Sequence, residues 1–245
     1  MPPRTANRIE TFALQPGRVI SRKYEVIEKL GEGWEGEVYK FKDLRTGIEH
    51  AAKIFFPGRD PRGNAVTTYA QKLYRLRNCS MVVRYHTEEV IRLQNKDVTV
   101  LISEFISGEI LESFLQRQRG KRLPPYIALH LLHSLCQGME EIHDLDEYHG
   151  DLHTENIIVA KYGLRFELKL LDMYNWGKTT AAHRHYDTVD MIRVFYDILG
   201  GQKYYASQPK SVKQICCGLK RSLILKKYKN AGELRRYLEK MEWQD

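Results

Sequence analysis

Apolar and polar residues alternate in short runs through the first hundred positions, and this period of two is typical of half-buried strands. Turn residues separate the runs, for example at Leu44–Gly47 and Gln94–Asp97. The pattern therefore predicts strands that pair into one antiparallel sheet. The five predicted strands are Tyr24–Ile27, Glu37–Phe41, Ala51–Phe55, Val82–Arg92 and Val98–Phe105.

One helix interrupts these strands, and helical spacing dominates after Gly108. Asn64 is a suitable cap for a helix over Ala65–Arg77, where apolar residues recur every three or four positions. A longer amphipathic helix is predicted from Pro125 to Asp144. The other predicted elements of this half are helices at Ile110–Gln118, Asp187–Leu199, Val212–Leu219 and Ala231–Met241, and a hairpin of Ile157–Val159 with Phe166–Leu171.

The order of these elements predicts an α+β fold with two lobes. A small antiparallel sheet of five strands with one helix is expected over 21–107, and a mainly helical lobe over 108–245. Residues 1–20 are polar and interrupted by prolines, which predicts a loosely ordered leader. With 245 residues and 42% apolar composition, the chain can bury a core without disulfides.

A glycine-rich loop connects the first two predicted strands. Its glycines Gly31, Gly33 and Gly36 precede Val38 in the spacing G-x-G-x-x-G-x-V, which lets backbone amides approach a triphosphate because glycine has no Cβ. The next strand contains Ala51 and Lys53, arranged as in a V-A-I-K segment. These two signals together indicate a phosphate-binding site.

A second motif, His149-Gly150-Asp151-Leu152-His153-Thr154-Glu155-Asn156, places Asn156 five residues after Asp151. A further carboxylate, Asp172, follows the apolar pair Leu170-Leu171. Carboxylate and amide oxygens at these positions are suited to a hard cation such as Mg²⁺.

In their order and spacing, these motifs resemble the protein kinase superfamily over residues 21–242. The resemblance implies a two-lobed kinase fold, with ATP and Mg²⁺ bound in the cleft between the lobes. It also implies a serine/threonine protein kinase of compact bacterial type that transfers the γ-phosphate to a protein hydroxyl.

The resemblance assigns a role to each matching residue. Asp151 orients the acceptor hydroxyl and takes its proton, Lys53 binds the α- and β-phosphates, and Asn156 with Asp172 holds Mg²⁺. Asp187 resembles the buried aspartate that anchors the catalytic loop, although a helix cap is an alternative. The implied nucleotide contacts are Gly31, Glu32, Gly33, Trp34 and Gly36 of the loop, Val38, Ala51 and Ile158 around adenine, and the backbone of Glu104 to Ile106 at its edge.

The chain also departs from the family pattern. No glutamate occurs between Lys53 and Glu88, so the usual acidic partner of the lysine is absent, and Tyr69, Ala70 or Gln71 occupies that region. Gly150 replaces an arginine that contacts a loop phosphate. Fourteen residues separate Asp172 from Asp187, which implies a shortened activation segment without regulation by loop phosphorylation.

Two other functions stay open at this point. His149 to His153 is closer to the aminoglycoside and choline phosphotransferases, which favours a small-molecule kinase. Against this, only 47 positions separate Glu104 from Asp151, too few for the inserted helices that bind small acceptors in that family. A pseudokinase scaffold that binds ATP is the third hypothesis, motivated by the missing glutamate.

Charge and hydropathy add expectations about partners and location. The net charge of +8 arises largely in the last third of the chain, where a basic surface is predicted for contact with an acidic partner. No recognition helix accompanies that surface, so a nucleic-acid partner is not favoured. The apolar runs are shorter than the roughly 18 residues of a membrane span, and the first residues have no apolar signal core, so we expect a cytoplasmic protein.

Overall fold

A computed structural model describes residues 9–59, 64–163 and 165–242. Two compact units divide the chain. The first comprises the described parts of Met1–Arg77 and Val83–Ile106, and the second comprises those of Asn78–Val82 and Ser107–Asp245. The first unit ends at Ile106, and the short segment Asn78–Val82 belongs with the second unit.

The first unit contains an antiparallel sheet of six strands in the order β1-β2-β3-β4-β6-β5. Five of them match the predicted strands, and the sixth is a pair of residues at the start of the sheet. One helix, α1, covers Asn64–Arg75. The strands are β1 Val19–Ile20, β2 Tyr24–Glu32, β3 Gly36–Asp43, β4 Glu49–Phe55, β5 Tyr85–Leu93 and β6 Lys96–Glu104.

The core of the first unit lies on one face of this sheet. Tyr39 and Phe41 of β3 alternate inward, together with Val26 of β2 and Ile54 of β4, and all four side chains are buried. The intervening residues of β3 and β4 therefore project from the opposite face, because successive side chains in a strand alternate. Val38, Ala51 and Lys53, which the sequence analysis predicted as nucleotide contacts, are on that second face.

The predicted leader differs from the structure over its described part. Residues 1–8 lie outside the described residues, but Phe12, Leu14 and Ile20 are buried in the core, and Phe12 stacks on Phe56 with ring centroids 5.3 Å apart. The apolar side chains of this segment are buried against the core face of the sheet. Their burial offsets the conformational entropy that is lost when this otherwise polar segment becomes ordered.

A buried carboxylate fixes the same segment to β3. Glu37 accepts hydrogen bonds from Thr11 Oγ1 (2.8 Å), the Phe12 amide (3.0 Å), Lys29 Nζ (2.8 Å) and Tyr39 Oη (2.6 Å). Burial raises the pKa of Glu37, but these donors outweigh burial and hold it at about 2. The carboxylate is therefore ionised and fully engaged in the fold.

Helices form most of the second unit, and the predicted α+β class is confirmed. The long helix α3 begins at Pro125, where a proline fits because its missing N–H has no partner to lose. Its buried stripe includes Leu131, Leu135 and Met139. The helices are α2 Leu111–Gln116, α3 Pro125–Asp144, α4 Ala181–Ile198, α5 Gly201–Tyr205, α6 Lys210–Cys216, α7 Arg221–Lys227 and α8 Ala231–Lys240.

A small antiparallel sheet, β7 Glu109–Ile110, β8 Ile157–Tyr162 and β9 Arg165–Leu170, contains the predicted hairpin. Met81 O accepts a 2.8 Å bond from the Leu170 amide, and Val82 forms a bridge with Leu170. These bonds explain why β5 begins at Tyr85 and not at Val82. Among the described residues, no helix combines the length and the apolar composition that crossing a membrane requires.

Candidate active site

The glycine loop links β2 to β3, and two backbone bonds shape its tip. The Gly33 amide donates to Gly36 O (2.9 Å), and the Phe56 amide donates to Glu35 O (2.8 Å). A Cβ on Gly36 would lie 2.0 Å from Ile54 O, so the fold itself requires glycine there.

The other two loop glycines have no such packing reason. A Cβ on Gly31 or Gly33 would meet no described atom within 4 Å, and neither residue has a positive φ. Their missing side chains instead leave open backbone on which a ligand can approach closely. The side chains of Glu32 and Trp34 are exposed, with Glu32 paired to Lys29 and Trp34 stacked against Arg59 at 4.6 Å.

The predicted adenine and phosphate residues of the first unit share one face of the sheet. Val38 is opposite Lys53 in the register of β3 and β4, and Ala51 is opposite Ser103 in that of β4 and β6. Directly opposed side chains lie on the same face, and residues two apart in a strand do so too. Ser103 is buried, and its hydroxyl donates to Ala51 O at 3.4 Å.

At the end of this face, the Glu104 amide donates to Arg84 O (3.0 Å), and its carboxylate accepts from the Arg84 amide (2.9 Å). Ile106, the last residue of the first unit, is half-buried. Ile158 belongs to the second unit, where it is half-buried in β8 opposite Ile110.

Lys53 has a carboxylate partner that sequence reasoning did not identify. Its Nζ donates to Glu35 Oε2, at the tip of the glycine loop, over 2.9 Å. The ring centroids of Phe55 and Tyr69 each lie 5.4 Å from the same nitrogen. Tyr69 is thus the α1 residue facing Lys53, whereas Gln71 is exposed and lines a surface groove of about 400 Å³.

In the second unit, the loop 149–156 brings Asp151 and Asn156 together. Asn156 Nδ2 donates to Asp151 O at 2.9 Å and lies 3.4 Å from Asp151 Oδ2. Asn156 is buried and Asp151 is exposed, so the amide supports a carboxylate that is open to solvent. His153 Nε2 lies 3.7 Å from the same carboxylate.

Asp187 anchors this loop from inside α4. It is fully buried and accepts 2.8 Å bonds from the amides of His149 and Gly150, while His143 Nε2 lies 3.0 Å from it. Burial raises the pKa of Asp187, but its contacts lower the pKa more strongly and hold it below the ordinary value. The largest of these are the hydrogen bond to His143 and the charge of that residue. The helix-cap alternative is wrong, because Thr180 caps α4 by accepting from the His183 amide.

Backbone bonds on both sides place Asp172 beside the loop 149–156. The Leu171 amide donates to Asn156 O (2.9 Å), and the Tyr174 amide donates to His149 O (2.8 Å). Asp172 itself has a φ of +49°, a strained region for a residue with a side chain. The described residues contain no group of three or more His, Cys, Asp or Glu side chains that could hold a metal.

The short segment after Asp172 packs on Tyr148, another residue that the sequence motifs did not identify. The Trp176 amide donates to Tyr148 Oη, which itself donates to Gly177 O at 3.1 Å. Gly150 has a φ of +85°, and a Cβ there would lie 3.1 Å from the Tyr148 ring. An arginine at position 150 would therefore be strained and crowded.

Comparison with known proteins gives the family. A family profile described as "Protein kinase domain" matches residues 24–208. The chain is 26% identical over 207 residues to cyclin-dependent kinase B2-2 of Arabidopsis thaliana, covering 81% of this chain and 64% of that protein. It is 27% identical over 158 residues to the serine/threonine-protein kinase pkn2 of Myxococcus xanthus, covering 63% of this chain and 18% of that one. The chain thus spans less than two thirds of these relatives' lengths.

Among solved structures, the PknI kinase domain of Mycobacterium tuberculosis has the same fold, with a TM-score of 0.66 at 14% identity. That match covers 93% of this chain and 99% of the other. The family profile extends over more than half of the sequence. The chain therefore belongs to the protein kinase domain family.

Proposed function

We propose that this chain is a serine/threonine protein kinase that transfers the γ-phosphate of Mg-ATP to a hydroxyl of another protein. The observation that carries the proposal is the arrangement of Asp151, Asn156 and Asp172. The Asn156 side chain donates to the backbone oxygen of Asp151 and lies 3.4 Å from its carboxylate, and the backbone bond from Leu171 to Asn156 holds Asp172 beside them. In a pseudokinase, no catalytic requirement would preserve all three polar side chains in this arrangement.

The first unit supplies residues that fit a nucleotide. The open backbone at Gly31 and Gly33 suits phosphate oxygens, and the ammonium of Lys53 supplies a positive charge for the α- and β-phosphates. Val38 and Ala51 offer an apolar surface to adenine on the same face of the sheet. The backbone of Glu104 to Ile106 supplies hydrogen-bonding groups for the edge of adenine.

Asn156 and Asp172 are the residues that would hold Mg²⁺. The Asn156 amide nitrogen donates to Asp151, which leaves the amide oxygen as the ligand atom. Two oxygen ligands from the protein are a suitable set for this cation, because Mg²⁺ keeps several waters and takes phosphate oxygens as its remaining ligands.

Bound ATP would supply the phosphoryl group, and Mg²⁺ would neutralise negative charge on the phosphates. Asp151 orients the acceptor hydroxyl and accepts its proton as the oxygen forms a bond to the γ-phosphorus and the bond to the β,γ-bridging oxygen breaks. The solvent exposure of the Asp151 carboxylate supports this role, since a protein acceptor must reach it. His153 lies close enough to that carboxylate to contact the same acceptor.

Location and partners are part of the proposal. All four cysteines are free thiols, which supports a reducing, cytoplasmic location. Exposed lysines on α6 and α7, including Lys213, Lys226 and Lys227, offer a basic surface to an acidic segment of a partner.

The proposal is tested by incubating the purified chain with Mg²⁺, γ-labelled ATP and a whole-cell lysate, with Asp151→Asn as the control. Label in protein, recovered as phosphoserine or phosphothreonine and absent from the control, is the expected result. Label in small metabolites would overturn it in favour of a small-molecule kinase. Nucleotide binding without any labelled product would indicate a pseudokinase.

A further inference from the structure

We infer that Glu35 is the positioning residue of Lys53, so that the glycine loop supplies the carboxylate that helix α1 lacks. This inference rests on the proposed function, since it concerns how the phosphate-binding lysine is held. Glu35 Oε2 lies 2.9 Å from Lys53 Nζ, within hydrogen-bond distance of the ammonium.

The geometry of the loop aims Glu35 at Lys53. The backbone bonds Gly33 N to Gly36 O and Phe56 N to Glu35 O fix both ends of the turn that carries Glu35. Gly36 then packs tightly against Ile54, the neighbour of Lys53 in β4. Loop and lysine strand are therefore in direct contact at this point, and the carboxylate has only a short distance to span.

Helix α1 offers no competing carboxylate. Its sequence from Asn64 to Arg75 contains neither aspartate nor glutamate, and the residue facing Lys53 is Tyr69, through its ring. An aromatic face attracts a cation but accepts no strong directed hydrogen bond. The loop, and not α1, therefore supplies a carboxylate that is hydrogen-bonded to the Lys53 ammonium.

The pair is compatible with nucleotide binding. An ammonium has three N–H donors, so a bond to Glu35 allows further bonds to phosphate oxygens. Glu35 is also 41% exposed in its side chain, and pairs this exposed contribute little to folding stability. The pair therefore acts by orienting the Lys53 ammonium and not by stabilising the fold. Both side chains can adjust when a nucleotide binds.

A regulatory consequence follows. Where the acidic partner is on a helix, movement of that helix can break the pair and switch the enzyme off. Here both members belong to one hairpin and the strand beside it, so alignment of Lys53 depends on the glycine loop. Binding of a nucleotide to the loop would then also align the Lys53 ammonium. No partner protein would need to move α1.

The chain contains a matched control for the test. Glu49 of β4 pairs with Lys40 of β3, also over 2.9 Å, with side-chain exposures of 43% and 14% against 41% and 15% for Glu35 and Lys53. Glu35→Gln and Glu49→Gln thus remove equivalent ion pairs. Steady-state kinetics and thermal unfolding of both variants separate a positioning role from a merely structural one.

We expect Glu35→Gln to lower kcat about tenfold or more, with KM for ATP within about threefold and an unchanged unfolding midpoint. Glu49→Gln should match the wild type in all three. The double variant Glu35→Gln, Tyr69→Glu, which moves the carboxylate to α1, should recover most of the lost kcat. The double variant Glu35→Gln, Tyr69→Gln should recover none of it.

Each failure has its own signature. If the wild type transfers phosphate and Glu35→Gln behaves as Glu49→Gln does, the positioning role is wrong while the proposed function stands. A deep loss in Glu35→Gln that Tyr69→Glu does not repair would also overturn the inference, because the carboxylate would then act on something other than Lys53. A wild type that neither binds a fluorescent Mg-nucleotide nor transfers phosphate would instead refute the proposed function.

Discussion

The loop that carries Asp151 and the strand that carries Lys53 are held in opposite ways. In the second unit, fully buried Asp187 fixes the catalytic loop by hydrogen bonds to two backbone amides and contact with His143. In the first unit, Lys53 is held by a half-exposed carboxylate on a loop. Buried networks are costly to break and exposed pairs are not. Folding thus fixes the loop that carries Asp151, while the pair of Lys53 with Glu35 stays adjustable.

Breaking the buried anchor should have the largest effect. Asp187→Ala leaves two backbone amides and His143 without their acceptor, so we expect a loss of about 3–5 kcal/mol in unfolding free energy. Urea denaturation and phosphotransfer assays on the same preparations measure both consequences. Asp187→Asn, which keeps one acceptor oxygen, should be intermediate. Wild-type stability in Asp187→Ala would contradict the anchoring role.

Glu37 sharpens the comparison, because it is two residues from Glu35 but fully buried. Glu37→Gln should cost on the order of 2 kcal/mol at pH 7, since the folded pKa is held at about 2. That stability is present above the ordinary carboxyl pKa of about 4.5 and is lost as pH falls from there toward 2.

Unfolding measured at pH 7 and pH 3 tests the Glu37 prediction directly. The difference between wild type and Glu37→Gln should shrink at pH 3. A difference that stays constant would mean that the carboxylate charge is not what stabilises the segment around Phe12.

A smaller effect is expected at Ser103, on the nucleotide face of the first unit. In the proposed nucleotide site, the small side chain of Ser103 would leave room behind adenine for large aromatic extensions of purine-like inhibitors, and Ser103→Met would occupy that space. The variant should lose about tenfold or more in inhibitor affinity, equivalent to about 1.4 kcal/mol. Calorimetric titration of both proteins checks this. Equal affinities would refute the assignment of Glu104 and Ile106 to the adenine edge.

The smallest effect should come from Gln71→Glu. An acid at this position of α1 does not reach Lys53, because Gln71 faces a surface groove and Tyr69 faces the lysine. We expect kcat and KM for ATP to remain within about twofold of the wild type. A severe loss with an intact circular dichroism spectrum would show that the groove takes part in catalysis.

Local sequence signals predicted the regular elements well where periodicity was strong. The limits of α3 coincide with the predicted Pro125 to Asp144, because an apolar stripe and an N-terminal proline both mark them. The start of α4 was predicted at Asp187, but it lies at Ala181. A capping threonine followed by the polar residues His183 to His185 is a weak sequence signal for the start of a helix.

Residues at motif spacing were predictable, but their partners were not. Asp151 and Asn156 came from a fixed local pattern, and the structure joins them by a hydrogen bond. Glu35 and Tyr148 act through contacts that tertiary structure creates, so no spacing in the chain identifies them. The same holds for the segment around Phe12, whose isolated apolar residues gain a partner only when the sheet presents Phe56 and Glu37.

The most direct test of the whole account compares Asp151→Ala with Asp172→Ala in one pair of assays, Mg²⁺-dependent nucleotide affinity and phosphate transfer to protein. We expect Asp151→Ala to bind Mg-nucleotide within about threefold of wild type while transfer falls about a thousandfold or more. Asp172→Ala should lose the Mg²⁺ dependence of binding. Near-wild-type transfer by Asp151→Ala, or unchanged Mg²⁺-dependent binding by Asp172→Ala, would contradict the account.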